Sequence, residues 1–203
     1  MANTTLQQTQ ATELFAEFDE LIVQLGEEAA RLWTDAIMLF RNANKRRVSV
    51  ARKASLLRAA VIMAAAALEG WTNFLAEKLA QDGRAGARVL TEAGMDCLCE
   101  RRKVLRDGKV IDDKARYSSI DRFLLLFRLL TGSEPRGPLR AALKLGFETR
   151  DELVHPKPAK PFDILESGRG WDAFSNFLGA EVILARAWKK AKSVKPGPIL
   201  VHS

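Results

Sequence analysis

The stretch LFAEFDELIVQLGEEAARLWTDAIMLF, running from Leu14 to Phe40, decides the fold class. Leu14, Phe18, Leu21, Leu25, Glu28, Leu32 and Leu39 recur at spacings of mostly three or four, and Phe15, Ile22, Ala29, Trp33 and Phe40 widen the stripe. Positions three and four apart lie on one side of a 3.6-residue helix, so the pattern predicts one long amphipathic helix, interrupted only by Glu28. No segment of the chain sustains the period-two alternation of a half-buried strand, and no repeat of about 20–50 residues is visible.

Working outward, Asn42, Ala43 and Asn44 with the triplet Lys45-Arg46-Arg47 predict a bend, followed by a second long helix from about Ser49 to Ala80. The two would pair as an antiparallel hairpin. Ala64 to Ala67 favour helix and let a neighbouring backbone approach closely. Gln81 through Gly83 to Gly86 reads as a break, with one short helix expected near Glu92 to Leu105. Ser118 or Ser119 caps a helix over Ile120–Leu130 that stops at Thr131-Gly132. Pro138 suits a first helical turn, and the spacing of Leu139, Leu143, Phe147 and Val154 extends that helix toward His155. It must end there, because Pro156, Pro158 and Pro161 disfavour helical geometry in the residues before them. A last helix is expected from Trp171 to about Lys192. The predicted fold is an all-α helical bundle with two long antiparallel N-terminal helices and further packed helices, one domain over 1–195 and a loose tail over 196–203.

Composition fits that reading. The chain has 203 residues, 47% hydrophobic and 28% charged, which suits one globular domain and excludes a disordered chain. The longest uncharged apolar run, Ala59 to Leu68, is about half of what a membrane span needs, and the first residues lack the basic start and apolar core of a secretory signal. A cytoplasmic protein without a membrane partner is the expectation. Cys97 and Cys99 are too close for a relaxed disulfide and lack a second ligand pair for zinc, so free thiols are expected. The four tryptophans, Trp33, Trp71, Trp171 and Trp188, sit among apolar residues at helical spacing, which suits core anchoring better than base stacking.

The net charge is +7 and it is unevenly spread. Between Asp35 and Glu69 there is no acidic residue, whereas Arg41, Lys45, Arg46, Arg47, Arg52, Lys53 and Arg58 all fall there. Arg101, Arg102, Lys103 and Arg106 form a second cluster, and Arg186, Lys189, Lys190, Lys192 and Lys195 a third. Such clusters attract phosphate backbones, or simply line solvated helix faces.

The usual catalytic signatures are absent: no phosphate-binding glycine loop, no His-Glu-x-x-His, no nucleophile elbow and no Cys-x-x-Cys. His155 is the one histidine in structured context, since His202 lies in the tail. It closes the segment Phe147-Glu-Thr-Arg-Asp-Glu-Leu-Val-His-Pro-Lys-Pro158. Arg150, the polar Asp151, and His155 after four intervening residues resemble the arginine–polar–histidine motif of the HEPN family of helical proteins. The helix holding Glu69-Gly-Trp-Thr-Asn73 also resembles an early bundle helix of that family. The resemblance implies a metal-independent ribonuclease, a homodimer whose two motifs face one cleft, and a setting in toxin–antitoxin, phage-defence or RNA-processing systems. An antitoxin or a nucleotidyltransferase would then be a possible partner. No cofactor and no metal are expected.

Physical chemistry assigns the same residues a task. An imidazole, with an unperturbed pKa of about 6.5, can both accept and donate a proton near neutrality, as attack by a ribose 2′-hydroxyl requires. A guanidinium stays charged and presents a planar fork of donors to phosphate oxygens. Asp151 and His155, four apart, share a helix face and could bond so as to fix the imidazole tautomer. Arg150 and His155, five apart, diverge by about 140° on a regular helix, so they converge only through a distorted last turn or a second subunit. Lys157 and Lys160 flank the site, and with Arg46, Arg47, Arg52 and Lys53 they are the candidate RNA contacts. Glu69 and Asn73, four apart on one face, would support the motif or bond across the bundle. The competing structural use makes Arg150 a helix-end cation paired with Glu148 or Glu152, and His155 a helix cap. A non-catalytic helical dimer that binds nucleic acid, a nucleotide or a protein is the alternative function.

Overall fold

The computed structural model describes residues 27–82, 84–85, 88–89, 91–99, 101–106, 109–114, 117–135, 137–155, 163–165 and 168–193. Within Met1–Trp71 and Arg136–Ala185 the described residues form one compact unit, and within Thr72–Pro135 and Arg186–Ser203 they form another. Among them are six helices: α1 (Glu27–Ala43), α2 (Val50–Asp82), α3 (Glu92–Leu98), α4 (Ser119–Thr131), α5 (Gly137–Val154) and α6 (Arg169–Ser193). The architecture is an all-α bundle, as the apolar periodicity requires. The predicted helical residues 14–26 and the predicted tail, 196–203, lie outside the described residues.

In the first unit, α1 ends where Asn44 N–H turns back to the carbonyls of Phe40 and Arg41, and α2 starts as the Ser49 carbonyl accepts from Lys53 N–H at 2.8 Å. Rings knit α1 to α6: Phe40 stacks on Phe174 at 4.0 Å and meets Trp171 edge-on at 4.9 Å, while Trp33 meets Phe174 at 6.3 Å. The buried stripe of α2 runs Leu57, Ala60, Val61, Ala64, Ala65, Ala67, Leu68, Trp71. This helix is also long and apolar enough to cross a membrane by length and composition, and just over half of its most apolar window is buried within the protein. Two glycines permit close approach. A Cβ on Gly146 of α5 would sit 2.9 Å from the Phe177 ring, and one on Gly170 of α6 would sit 2.6 Å from both Leu57 and Ile164 side chains. Phe147 packs edge-on against Phe177 at 5.1 Å, and Arg169 pairs with Glu152 at 3.1 Å. Rising numbers on α5 therefore meet falling numbers on α6, so the two run antiparallel.

The second unit contains the part of the chain where the helical expectation needs correcting. Helix α3 is capped by Thr91, whose hydroxyl accepts from Gly94 N–H, but it ends at Leu98 instead of continuing to Leu105. Strands β3 (Arg101–Arg106) and β4 (Lys109–Lys114) form an antiparallel ribbon, and a smaller one joins β1 (Arg84–Ala85) to β2 (Arg88–Val89). The β3–β4 register sets Arg102 opposite Asp113, Lys103 opposite Asp112 and Val104 opposite Ile111.

Helix α4 forms as its sequence dictates. Ser118 Oγ accepts from Asp121 N–H at 3.1 Å and donates to the Asp121 carboxylate, and Gly132, at φ 74°, closes the last turn by donating to the Arg128 carbonyl. Arg122 on α4 donates to Asn73 Oδ1 at 2.6 Å and to the Leu98 carbonyl at 3.0 Å, joining α2 and the end of α3 to α4. Cys97 and Cys99 are free, half-buried thiols. Burial pushes the Cys97 thiol up, against the opposing pull of the Arg122 guanidinium.

Candidate active site around Arg150

Helix α5 turns Leu143, Gly146, Phe147 and Thr149 into the core, which puts Arg150 at the edge of the buried face and Asp151 outside it. Arg150 is 27% exposed. Three contacts fix its guanidinium. Its carbon lies 5.3 Å from the centroid of the Phe147 ring one turn earlier, so the cation rests on an aromatic face that Phe177 buttresses. Nη2 donates to Glu69 Oε1 on α2 at 3.3 Å, with Glu69 itself 31% exposed. Nε lies 2.9 Å from Oδ1 of Asp151, which is 61% exposed. That last approach is close enough for an ion pair but lacks hydrogen-bond alignment, since Nε has no hydrogen-bond partner. The remaining nitrogen, Nη1, takes part in none of these contacts.

His155 stands just past the end of α5, exposed, with its backbone N–H donating to the Asp151 carbonyl at 2.8 Å. The helix stops at Val154, so His155 leaves the regular spiral, as expected of a residue before proline. Among the described residues its side chain makes no bond to Asp151. The sequence expectation that Asp151 orients the imidazole is therefore corrected within one chain, because the Asp151 carboxylate is drawn to its stronger neighbour, the adjacent guanidinium. The helix-end pairing of Arg150 with Glu148 or Glu152 is not made either. Glu148 lies 3.7 Å from Lys144, and Glu152 is taken by Arg169.

The two expected supporters separate. Glu69 joins the motif, whereas Asn73, one turn later, accepts from Arg122 in the second unit. Arg46, Arg47 and Arg52 are exposed around the α1–α2 connection, and Lys53 is half-buried with Nζ 5.3 Å above the Trp171 ring. Lys157 and Lys160 lie outside the described residues. Among the described residues no three of His, Cys, Asp and Glu gather as a metal-binding group.

Sequence reasoning missed two members of this unit. Phe147 was read only as core, although its place three residues before Arg150 already puts both on one helix face. Glu181 was not singled out, yet it falls seven residues after Phe174 and seven before Trp188, on the apolar stripe of α6. It is fully buried. Burial pushes its carboxyl well above the usual carboxylate range, and an interaction with the Trp33 indole opposes this only in part.

No protein-family model, curated protein or solved structure matches the chain. The family reading accordingly stands on the residues from Phe147 to Pro158, on the Glu69 segment and on the helical architecture.

Proposed function

We propose that this protein is a metal-independent endoribonuclease of HEPN type, acting through Arg150 and His155 as a homodimer. The observation that carries the reading is the state of Arg150: a part-buried guanidinium clamped by Phe147 and Glu69, with one nitrogen uncommitted, one turn before an exposed histidine. A cation that keeps its charge and its direction suits a phosphate whose negative charge grows during reaction. Glu69 holds the inner edge. Asp151, mostly exposed and poorly aligned, is the counter-ion that a phosphate oxygen would displace.

In the proposed reaction the His155 imidazole takes the proton of a ribose 2′-hydroxyl as its oxygen bonds to the adjacent phosphorus. Arg150 binds the non-bridging oxygens of the phosphorane. The bond to the 5′-oxygen then breaks, and that oxygen receives a proton from an imidazolium, of the same chain or of the facing motif. The products carry a 2′,3′-cyclic phosphate and a 5′-hydroxyl, so atoms and charge balance without a further reactant. A toxin–antitoxin or phage-defence setting, with a protein inhibitor, follows from the family resemblance.

A second reading has its own support. Two carboxylates already compensate Arg150, as in a purely structural cross-helix tie, and the protein would then be a non-catalytic nucleic-acid, nucleotide or protein binder. Incubating purified protein with single-stranded RNA in EDTA separates the two. Cleavage that survives the chelator and is lost in both Arg150→Ala and His155→Ala supports the nuclease. Binding without cleavage supports the second reading.

A further inference from the structure

The 44–49 connection and the start of α2 form a corner that carries exposed arginines in a stretch of chain without carboxylates. Three exposed cations outside it pair with carboxylates, Arg31 with Glu27 at 2.6 Å, Arg128 with Glu134 at 2.8 Å and Lys144 with Glu148 at 3.7 Å, whereas Lys78 and Lys192 lie over the Phe74 and Trp188 rings. Arg46, Arg47, Arg52 and Arg58 are all exposed, and none has an acidic partner among the described residues. The sequence explains why, since no carboxylate lies between Asp35 and Glu69. Arg52, Ser55 and Arg58 share the outward stripe of α2, and Arg46 and Arg47 lead into it from the connection. The first turn of α2 has no acidic residue, so the positive end of its dipole adds to theirs.

We infer that this corner is a second nucleic-acid contact, one that grips the phosphodiester backbone and ignores both base and sugar. Nucleic acid is chosen over other polyanions because the inference rests on the ribonuclease reading. The indifference to base and sugar comes from the side chains present. Among the described residues the corner exposes its cations beside Ser49, Val50, Ala51 and Ser55 with no exposed aromatic side chain, and Trp171 is half-buried under Lys53. Arginines without stacking partners position a strand without reading it. The corner therefore holds RNA and DNA alike, and discrimination for RNA falls to the Arg150–His155 centre, which needs a 2′-hydroxyl.

The test is fluorescence anisotropy with one labelled single-stranded RNA and its DNA counterpart, using the full chain with His155→Ala so that nothing is cut. RNA and DNA should bind within about threefold of each other, since nearly all the affinity is phosphate attraction. Replacing Arg46, Arg47, Arg52 and Arg58 together by Gln should flatten the dependence of log K on log salt by nearly 3, at about 0.7 for each lost single-strand phosphate contact. The control Arg31→Gln/Arg128→Gln, which removes paired cations, should leave the slope as it was. All these side chains are exposed, and an unchanged melting temperature confirms an intact fold. An unchanged slope in the fourfold variant, strong preference for RNA, or binding to phosphatidylserine vesicles in place of either strand would each overturn the inference. Its fate is separable from that of the nuclease. Binding at the corner with no cleavage by the unmodified chain sinks only the nuclease, and cleavage with an unaltered salt slope sinks only the corner.

Discussion

Arg150 and Glu181 are both ionisable residues facing inward on neighbouring helices of one unit, and they have met opposite fates. Arg150 sits at the rim of the buried face, keeps about a quarter of its surface, and is flanked by two carboxylates and a ring. Glu181 lies on the core stripe of α6 with no exposed surface, and its carboxylate oxygens find no hydrogen-bond partner of good geometry. A charge that cannot be solvated or paired is given up, so Glu181 is held as the neutral acid, whereas Arg150 stays a cation of fixed direction. The rim position is the one that can serve a substrate. The core position can only cost stability.

The comparison breaks most readily at Arg150. Substituting Ala should lower RNA cleavage by about 10²–10³-fold, the scale of one lost oxyanion contact. It should also remove one ion pair from the part-solvated Glu69, so thermal denaturation should show a drop of only a few degrees. Collapse of the fold would instead mark the residue as structural.

For Glu181 the expected effect is on stability and has a definite sign. Above the ordinary glutamate pKa of about 4.3 the unfolded chain releases this proton while the folded chain keeps it, so stability falls as pH rises until the raised folded pKa is reached. Over that window the loss approaches about 1.4 kcal/mol for each pH unit. Glu181→Gln removes the titration. Urea unfolding near pH 5 and near pH 8 should show the variant gaining on the unmodified protein at the higher pH, and parallel behaviour of the two would refute the assignment.

A smaller change is expected at Glu69. Glu69→Gln weakens the clamp without emptying it, and should slow cleavage by about tenfold, which is the 1.4 kcal/mol of one orienting bond to a charged group. Asp151→Asn should do least, shifting the cleavage rate by no more than about threefold, because an exposed ion pair contributes little. A large loss there, with a changed pH–rate profile, would restore Asp151 as the group that orients His155.

How much of this was legible in the chain depended on whether local signals agreed with the final packing. Ser118, Asp121 and Gly132 bound α4 because cap chemistry is local, and α5 ends beside Pro156 for the same reason. The 84–114 region resisted, since its ribbons depend on pairing between strands that alternate poorly. Even so, Asp107-Gly108 between Leu105-Arg106 and Lys109-Val110 was a readable hairpin signal. Arg150 was legible as a candidate, but its partner was not. Glu69 is 81 positions away, and only the packing of α2 against α5 brings the two within 3.3 Å. Glu181 was hidden by its letter: a carboxylate reads as surface unless its register is counted, and Phe174, Phe177, Ala185 and Trp188 place it inside.

The most direct measurement uses a single-stranded RNA with one 2′-deoxy nucleotide at a bond that the all-RNA version shows to be cut, assayed in EDTA. Proton removal from the ribose by His155 predicts that this bond alone becomes resistant, while the all-RNA strand yields 5′ fragments ending in a 2′,3′-cyclic phosphate. Cleavage of the deoxy position at the same rate, or fragments ending in a free 3′-hydroxyl, would contradict it.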